Sequence, residues 1–337
     1  MLTRACSLLG IEHPVVLGGM ASATSPELVA AVSNAGGLGV QGCTGQSPAQ
    51  IAALVERIRG LTGRPFGLNL LLFRTDESTA DAVLAARPQI VSTAWPTPEQ
   101  QLASLFQRVH GQGLRAMHMV STVHEARRAA EAGADLIVAQ GTEGGGHVGV
   151  MGTLVLVRQV VRAVAPVPVL AAGGIADGAG LAAALMLGAE GVLLGTRFLA
   201  TKEAPLPDSY KQAICDSDGH DTLLTELPDV INGQVWPGAF ARVLRTRFVQ
   251  EWLARDGEVR LRQAELAKRI AEARASGDVA NGTLLVGQDA GLIDAVEPAG
   301  DVVRRIVLEA EDILGSRVSE VLPADERNRT LGASPSA

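Results

Sequence analysis

The chain has 337 residues, of which 47% are hydrophobic and 19% charged, and its formal net charge is −7. That apolar share supports one large domain with an appendage, or two domains, and excludes a disordered chain except at the ends. The acidic balance argues against a nucleic-acid partner, and no apolar run approaches the ~20 residues of a membrane helix. The three cysteines, Cys6, Cys43 and Cys215, form neither a CxxC pair nor a zinc spacing, which reads as a reduced, cytoplasmic protein. Glu12, His13 and Pro14 break the first apolar run, so the N-terminus does not read as a signal peptide.

In chain order, short apolar runs stand at 14–20, 38–42, 66–72, 89–95, 115–120, 136–141, 167–174 and 191–198. They are rich in Val, Leu and Ile without polar alternation, as strands buried on both faces of a parallel sheet are. Helix starts fall between them. Ser47-Pro48 with Gln50, Thr97-Pro98 with Gln100, and Thr122 with Glu125 have the form of capping boxes; Ser25 and Asp177 are further N-caps. Eight strands with intervening helices in residues 1–200 predict a (β/α)8 TIM barrel. An open doubly wound sheet is the rival, but no early GxGxxG follows the first strand. From 201 to 325 the pattern becomes polar, proline-broken and then helical, with a helical region expected over about 238–276. We expect an appended helical subdomain capping the barrel mouth, a return to the barrel near 280–315, and a frayed tail at 326–337.

The C-terminal strand ends of such a barrel carry its chemistry. Here they read Gly18-Gly19-Met20, Gln41-Gly42, Asn69, Trp95, His118, Gln140-Gly141, Gly173-Gly174 and Gly195-Thr196. Glycines and amides dominate. No lysine stands on a strand for Schiff-base chemistry, no His/Asp/Glu set converges for a metal, and no carboxylate pair serves glycoside cleavage. The glycines after strands seven and eight suit a phosphate held by backbone N–H groups. A flavin mononucleotide adds a flat ring: Asn69 and Gln140 suit its polar edge, Gly19 and Met20 its N5 side, and Gly144 to Gly146 leave one face free. His147 follows those glycines and is the candidate catalytic residue. His118, Trp95 and Gln288 are candidate pocket residues, and Glu143 reads as a structural acid.

"QGTEGGGHVG" (140–149), with "AAGGI", "LLGTRF" and "GQDAGLI" in the same order, resembles the nitronate monooxygenase family, over roughly residues 8–315. The resemblance implies an FMN-binding barrel with an appended helical domain. Asn69, Gln140, Gly145, Gly174 and the run Leu193, Leu194, Gly195, Thr196 would hold FMN, and His147 falls on the family's catalytic histidine. It implies oxidation of a small alkyl nitronate, with O2 as acceptor and a carbonyl compound and nitrite as products. The same fold and cofactor also serve NAD(P)H-dependent quinone or enoyl reductases. A flavin-free sugar-phosphate isomerase or lyase fits the phosphate-type glycines as well. The sequence leaves the acceptor, the donor, the substrate and the oligomeric state open.

Overall fold

The barrel strands are short and apolar on both faces, most are followed by a capped helix, and the computed structural model, which describes residues 1–321, closes these units into a ring. The strands are β1 (Val15–Leu17), β2 (Gly39–Gly42), β3 (Phe66–Leu71), β4 (Ile90–Ala94), β5 (Arg115–Val120) and β6 (Leu136–Gln140). After β7 (Gly146–Val148), which lies outside the ring, come β8 (Val169–Ala172) and β9 (Val192–Leu194). The parallel order is β1-β9-β8-β6-β5-β4-β3-β2. The ring closes where Leu17 N–H donates to Leu38 O at 2.9 Å and Leu38 N–H to Val15 O at 3.0 Å. The (β/α)8 barrel expected from the apolar runs is the observed fold.

The pleat divides the core in two. In β6, Leu136 and Val138 point into the barrel with Val16, Val40, Met117 and Leu170. Ile137 and Ala139 point outward, under the helices. The helix Arg4–Leu9 plugs the bottom of the barrel with Ala5, Cys6 and Leu9. Ser25, Ser47, Thr122 and Asp177 cap their helices as expected, Ser47 and Thr122 through full capping boxes. The box at Thr97 is only half made. Gln100 Oε1 accepts from Thr97 N–H, but the helix begins at Leu102.

After β9 the chain leaves the barrel and returns as the helix Ala299–Val321, which packs against the helix Gly178–Met186. The residues between form an insertion before the last barrel helix. It is not purely helical, as the sequence pattern had suggested. It contains β10 (Thr222–Thr225) and β11 (Phe240–Leu244), and β7 of the barrel joins them in the antiparallel order β10-β11-β7. Within "FARVL", Ala241 and Val243 are buried against Phe248, Trp252 and Leu266 while Phe240 is exposed. Those two residues share one face, and pairing with β10 on one edge and β7 on the other makes the segment a strand. The helices Arg247–Trp252, Asp256–Leu261 and Gln263–Ser276 follow. The tail expected to fray, 326–337, lies outside the described residues. No helix among the described residues is long and apolar enough to cross a membrane.

Candidate active site

The strand ends reach one mouth, and their glycines there differ in kind. Gly173 and Gly174 have φ of +92° and +74°, a left-handed region where a side chain is strained. Among the described residues, no acceptor faces the backbone N–H groups of Gly173, Gly174, Gly195 and Thr196. Unpaired backbone donors converging at a mouth are a cradle for an anion. A Cβ on Gly195 would meet only Met20 Sδ, at 3.4 Å. Leu193 borders the barrel interior, whereas Leu194 turns outward beneath the helices and contributes only backbone to the mouth.

The amides stand as follows. Asn69 Nδ2 donates to Gly19 O at 3.1 Å, and its Oδ1 accepts from Ser92 Oγ at 2.9 Å. A Cβ on Gly19 would lie 2.4 Å from Asn69 Cβ, so the close approach of these two strand ends requires the glycine. Gln140 Oε1 is buried without a partner among the described residues, an acceptor waiting for a donor. A phosphate-tailed group with a flat, N–H-bearing ring fits this set of donors and acceptors.

The triple glycine is in part a packing feature. A Cβ on Gly145 would meet Gly287 N at 2.5 Å and Val286 C at 2.6 Å; one on Gly141 would meet Thr153 Oγ1. The Cβ directions of these two glycines are filled by the neighbouring chain. Only Gly146, at φ +76°, has open space around it. Glu143 is structural as read: its carboxylate accepts from Thr153 N–H at 2.9 Å and from Thr153 Oγ1 at 2.8 Å, capping the helix Thr153–Val164. Gln288 meets the histidine loop through its backbone. Its side chain is exposed, and what reaches the histidine loop is its N–H, which donates to Glu143 O at 2.9 Å.

His147 lies in β7, opposite Ala241 of β11. Its Nε2 is 2.9 Å from Asp229 Oδ1, and its ring stacks on Trp236 with centroids 3.3 Å apart and planes 6° from parallel. Asp229 and Trp236 both come from the insertion. Trp236 also meets Phe73 and Trp95, at 4.7 and 6.0 Å between centroids, and its Nε1–H is buried without an acceptor among the described residues. Neither residue was visible as a site residue in the sequence. The signal for Trp236 was its rarity, one of three tryptophans, and the Trp-Pro-Gly turn it opens.

Beside this stack is a cavity of 340 Å³, lined by Trp95, His118, Met119, Arg128 and Pro237, among others. Two expected pocket residues, Trp95 and His118, therefore share one wall. His118 is buried, with Nδ1 2.7 Å from Thr93 Oγ1. Burial, with the Arg128 charge behind it, pushes its imidazole down to about 4, so the ring is uncharged at neutral pH. Burial raises the Cys43 thiol to about 12, which leaves it a packing group rather than a nucleophile. No cluster of three or more metal-ligating side chains occurs among the described residues.

The family model described as nitronate monooxygenase matches residues 3–83 and 75–309. A (3aS,4S,5R,7aS)-5-hydroxy-7a-methyl-1-oxo-octahydro-1H-indene-4-carboxyl-CoA dehydrogenase of Mycobacterium tuberculosis is 33% identical, over 91% of this chain and 96% of its own length. A probable nitronate monooxygenase of Staphylococcus aureus is 31% identical, over 92% of this chain and 98% of its own. Among solved structures, FabK from Thermotoga maritima superposes with a TM-score of 0.85 at 35% identity, covering 95% of this chain and 99% of that one.

Proposed function

The chain belongs to the nitronate monooxygenase family, and from that premise we propose that it is an FMN-dependent oxidoreductase that oxidises small alkyl nitronates with O2 to a carbonyl compound and nitrite. The observation that carries this reading is the meeting, at one barrel mouth, of an anion cradle and a held histidine. FMN supplies the redox chemistry, which no side chain here provides. The N–H groups of Gly173, Gly174, Gly195 and Thr196 would hold its phosphate. Gln140 Oε1 would accept from the polar edge of the ring, with Asn69 beside it and Gly19 and Met20 along the opposite strand ends. His147 would face the nitro oxygens of the nitronate, or take the α-carbon proton of a parent nitroalkane to give the nitronate. Trp236 Nε1–H is a donor available to a substrate oxygen. Trp95, Met119 and Pro237 wall the cavity and keep water from the reacting carbon.

The cavity favours a second reading. Its 340 Å³ lies in the range that encloses a drug-sized molecule, on the order of 300–1,000 Å³, and exceeds what a small nitronate fills. The mycobacterial relative is named for a bicyclic carboxyl-CoA substrate. A dehydrogenase or NAD(P)H-dependent reductase on this scaffold would use the same cradle and the same histidine.

The test is anaerobic. The visible flavin band of the purified protein is followed as a small alkyl nitronate, NADH or NADPH, or an acyl-CoA thioester is added. Bleaching by the nitronate alone supports the first reading. Bleaching by a nicotinamide or a thioester alone moves the assignment to the second. Absence of a flavin band after FMN is supplied removes both. His147→Ala is expected to keep its flavin and lose turnover by ~10²-fold or more; unchanged turnover refutes its role.

A further inference from the structure

We propose that Asp229 is a positioning residue for His147: it keeps a ring proton on Nε2 and so leaves Nδ1 as the atom that takes the α-carbon proton of the parent nitroalkane, releasing the nitronate. The inference rests on the reading of His147 as the proton-handling residue and goes beyond it by naming the atom. An ionised carboxylate only accepts hydrogen bonds. With Asp229 Oδ1 2.9 Å from Nε2, the favourable state of the pair puts the ring proton there. An uncharged ring has one such proton, and Nδ1, which has no hydrogen-bond partner among the described residues, is then a bare lone pair. Asp229 is 6% exposed, so water competes little for its oxygen and the preference is strong.

Trp236 completes the device. The ring of His147 lies 6° from parallel to it at 3.3 Å, which fixes the imidazole plane; Asp229 then decides which edge of that plane faces which way. The positioning acid stands 82 residues from the histidine in sequence, on the helix Leu227–Ile231 of the insertion, while the histidine stands on a loop of the barrel. The base is therefore assembled only when the two parts are docked. A simple structural link between barrel and insertion would also use a 2.9 Å contact, but it would be indifferent to where the ring proton sits.

The experiment labels the six histidines with 15N in the flavin-loaded protein and assigns His147 by its loss in His147→Gln. The expected spectrum of the uncharged ring has its proton on Nε2. In Asp229→Asn the amide can donate to Nε2, so the proton is expected to move to Nδ1 in part or whole. Flavin content should stay the same, kcat with the parent nitroalkane should fall ~10²–10⁴-fold, and KM should stay within a few-fold. Asp229→Glu should restore the Nε2–H tautomer and part of kcat. Trp236→Phe should keep the tautomer. A wild-type spectrum with the proton on Nδ1, or an Asp229→Asn protein with wild-type kcat, overturns the proposal. The wild-type spectrum decides by itself if Asp229→Asn fails to fold. Because the tautomer is read without substrate, inactivity toward every substrate tried would count against the proposed function and leave this inference standing.

Discussion

Gly145→Ala separates a glycine kept for chain packing from one kept for a ligand. Gly145 has no left-handed φ, so the backbone tolerates alanine. The new methyl would nevertheless stand 2.5 Å from Gly287 N and 2.6 Å from Val286 C, both backbone atoms. To restore ordinary van der Waals contact the two chains must part by roughly 0.9 Å. The bond from Gln288 N–H to Glu143 O, now 2.9 Å, then stretches beyond useful range. Losing a buried hydrogen bond costs about 1–3 kcal/mol, and overpacking by one methyl costs about the same. Together they lower the unfolding free energy by ~3–4 kcal/mol at mid-range. At roughly 2–4 °C per kcal/mol the melting temperature falls by ~5–15 °C. Differential scanning calorimetry of the flavin-free protein reads this, with FMN titrated in parallel. Gly146→Ala is the comparison. Nothing lies within 4 Å of its Cβ, and only the φ of +76° resists the change, at about 1–2 kcal/mol. A melting temperature unmoved by Gly145→Ala, with FMN binding lost, would refute the packing argument and return that glycine to the ligand.

Two buried titrating groups predict opposite pH dependences of stability. His118 titrates near 6.5 when unfolded and near 4 when folded, so the unfolded chain takes the proton first and stability falls as pH drops through that window. At ~1.4 kcal/mol per pH unit the loss reaches roughly 3 kcal/mol. Urea unfolding at several pH values should show this slope flattened in His118→Gln, and an unchanged slope would show that the ring is not desolvated. Asp289, buried beside Thr196 with Oδ1 unpartnered among the described residues, is raised by burial from 3.8 to about 7. The unfolded carboxyl ionises first, so stability is lost as pH rises between those values. Asp289→Asn should therefore gain ~2–4 kcal/mol at pH 8 and close to nothing near pH 4. An equal difference at both pH values would refute the assignment.

The barrel was legible because its signals are local. An apolar run, a cap and a glycine lie within about a turn of one another, and Ser47 with Gln50 makes in space the box its spacing promises. The mouth was legible for the same reason, since each strand end can be read from its own strand. The insertion was read as helical because β11 is held as a strand by β10 on one edge and β7 on the other, and β7 lies in the preceding half of the chain. Gly145 was singled out for a ligand, and its Cβ direction faces Val286 and Gly287. A sequence shows that bulk is absent and not whether a ligand or Val286 fills the space. Asp229 carried no local mark and Trp236 only its rarity and its Trp-Pro-Gly turn, because their meaning arises from contact with His147.

The helix that completes the outer layer of the barrel comes last in chain order among the described helices. Ala299–Val321 covers the helix Gly178–Met186, with Glu309 Oε2 accepting from Gly178 N–H at 3.0 Å and Val302, Ile306 and Ala310 filling the layer between. Residues 187 to 298 leave the ribosome between those two helices. At about 5–20 residues per second, the gap remains uncovered for on the order of ten seconds. For most of that time the nascent ring has all its parallel strands but an apolar seam open beside β8 and β9, next to the first and last strands that must meet to close it. A ribosome-stalled chain ending before Ala299 would bind hydrophobic-surface chaperones through that seam, and release would coincide with emergence of the final helix.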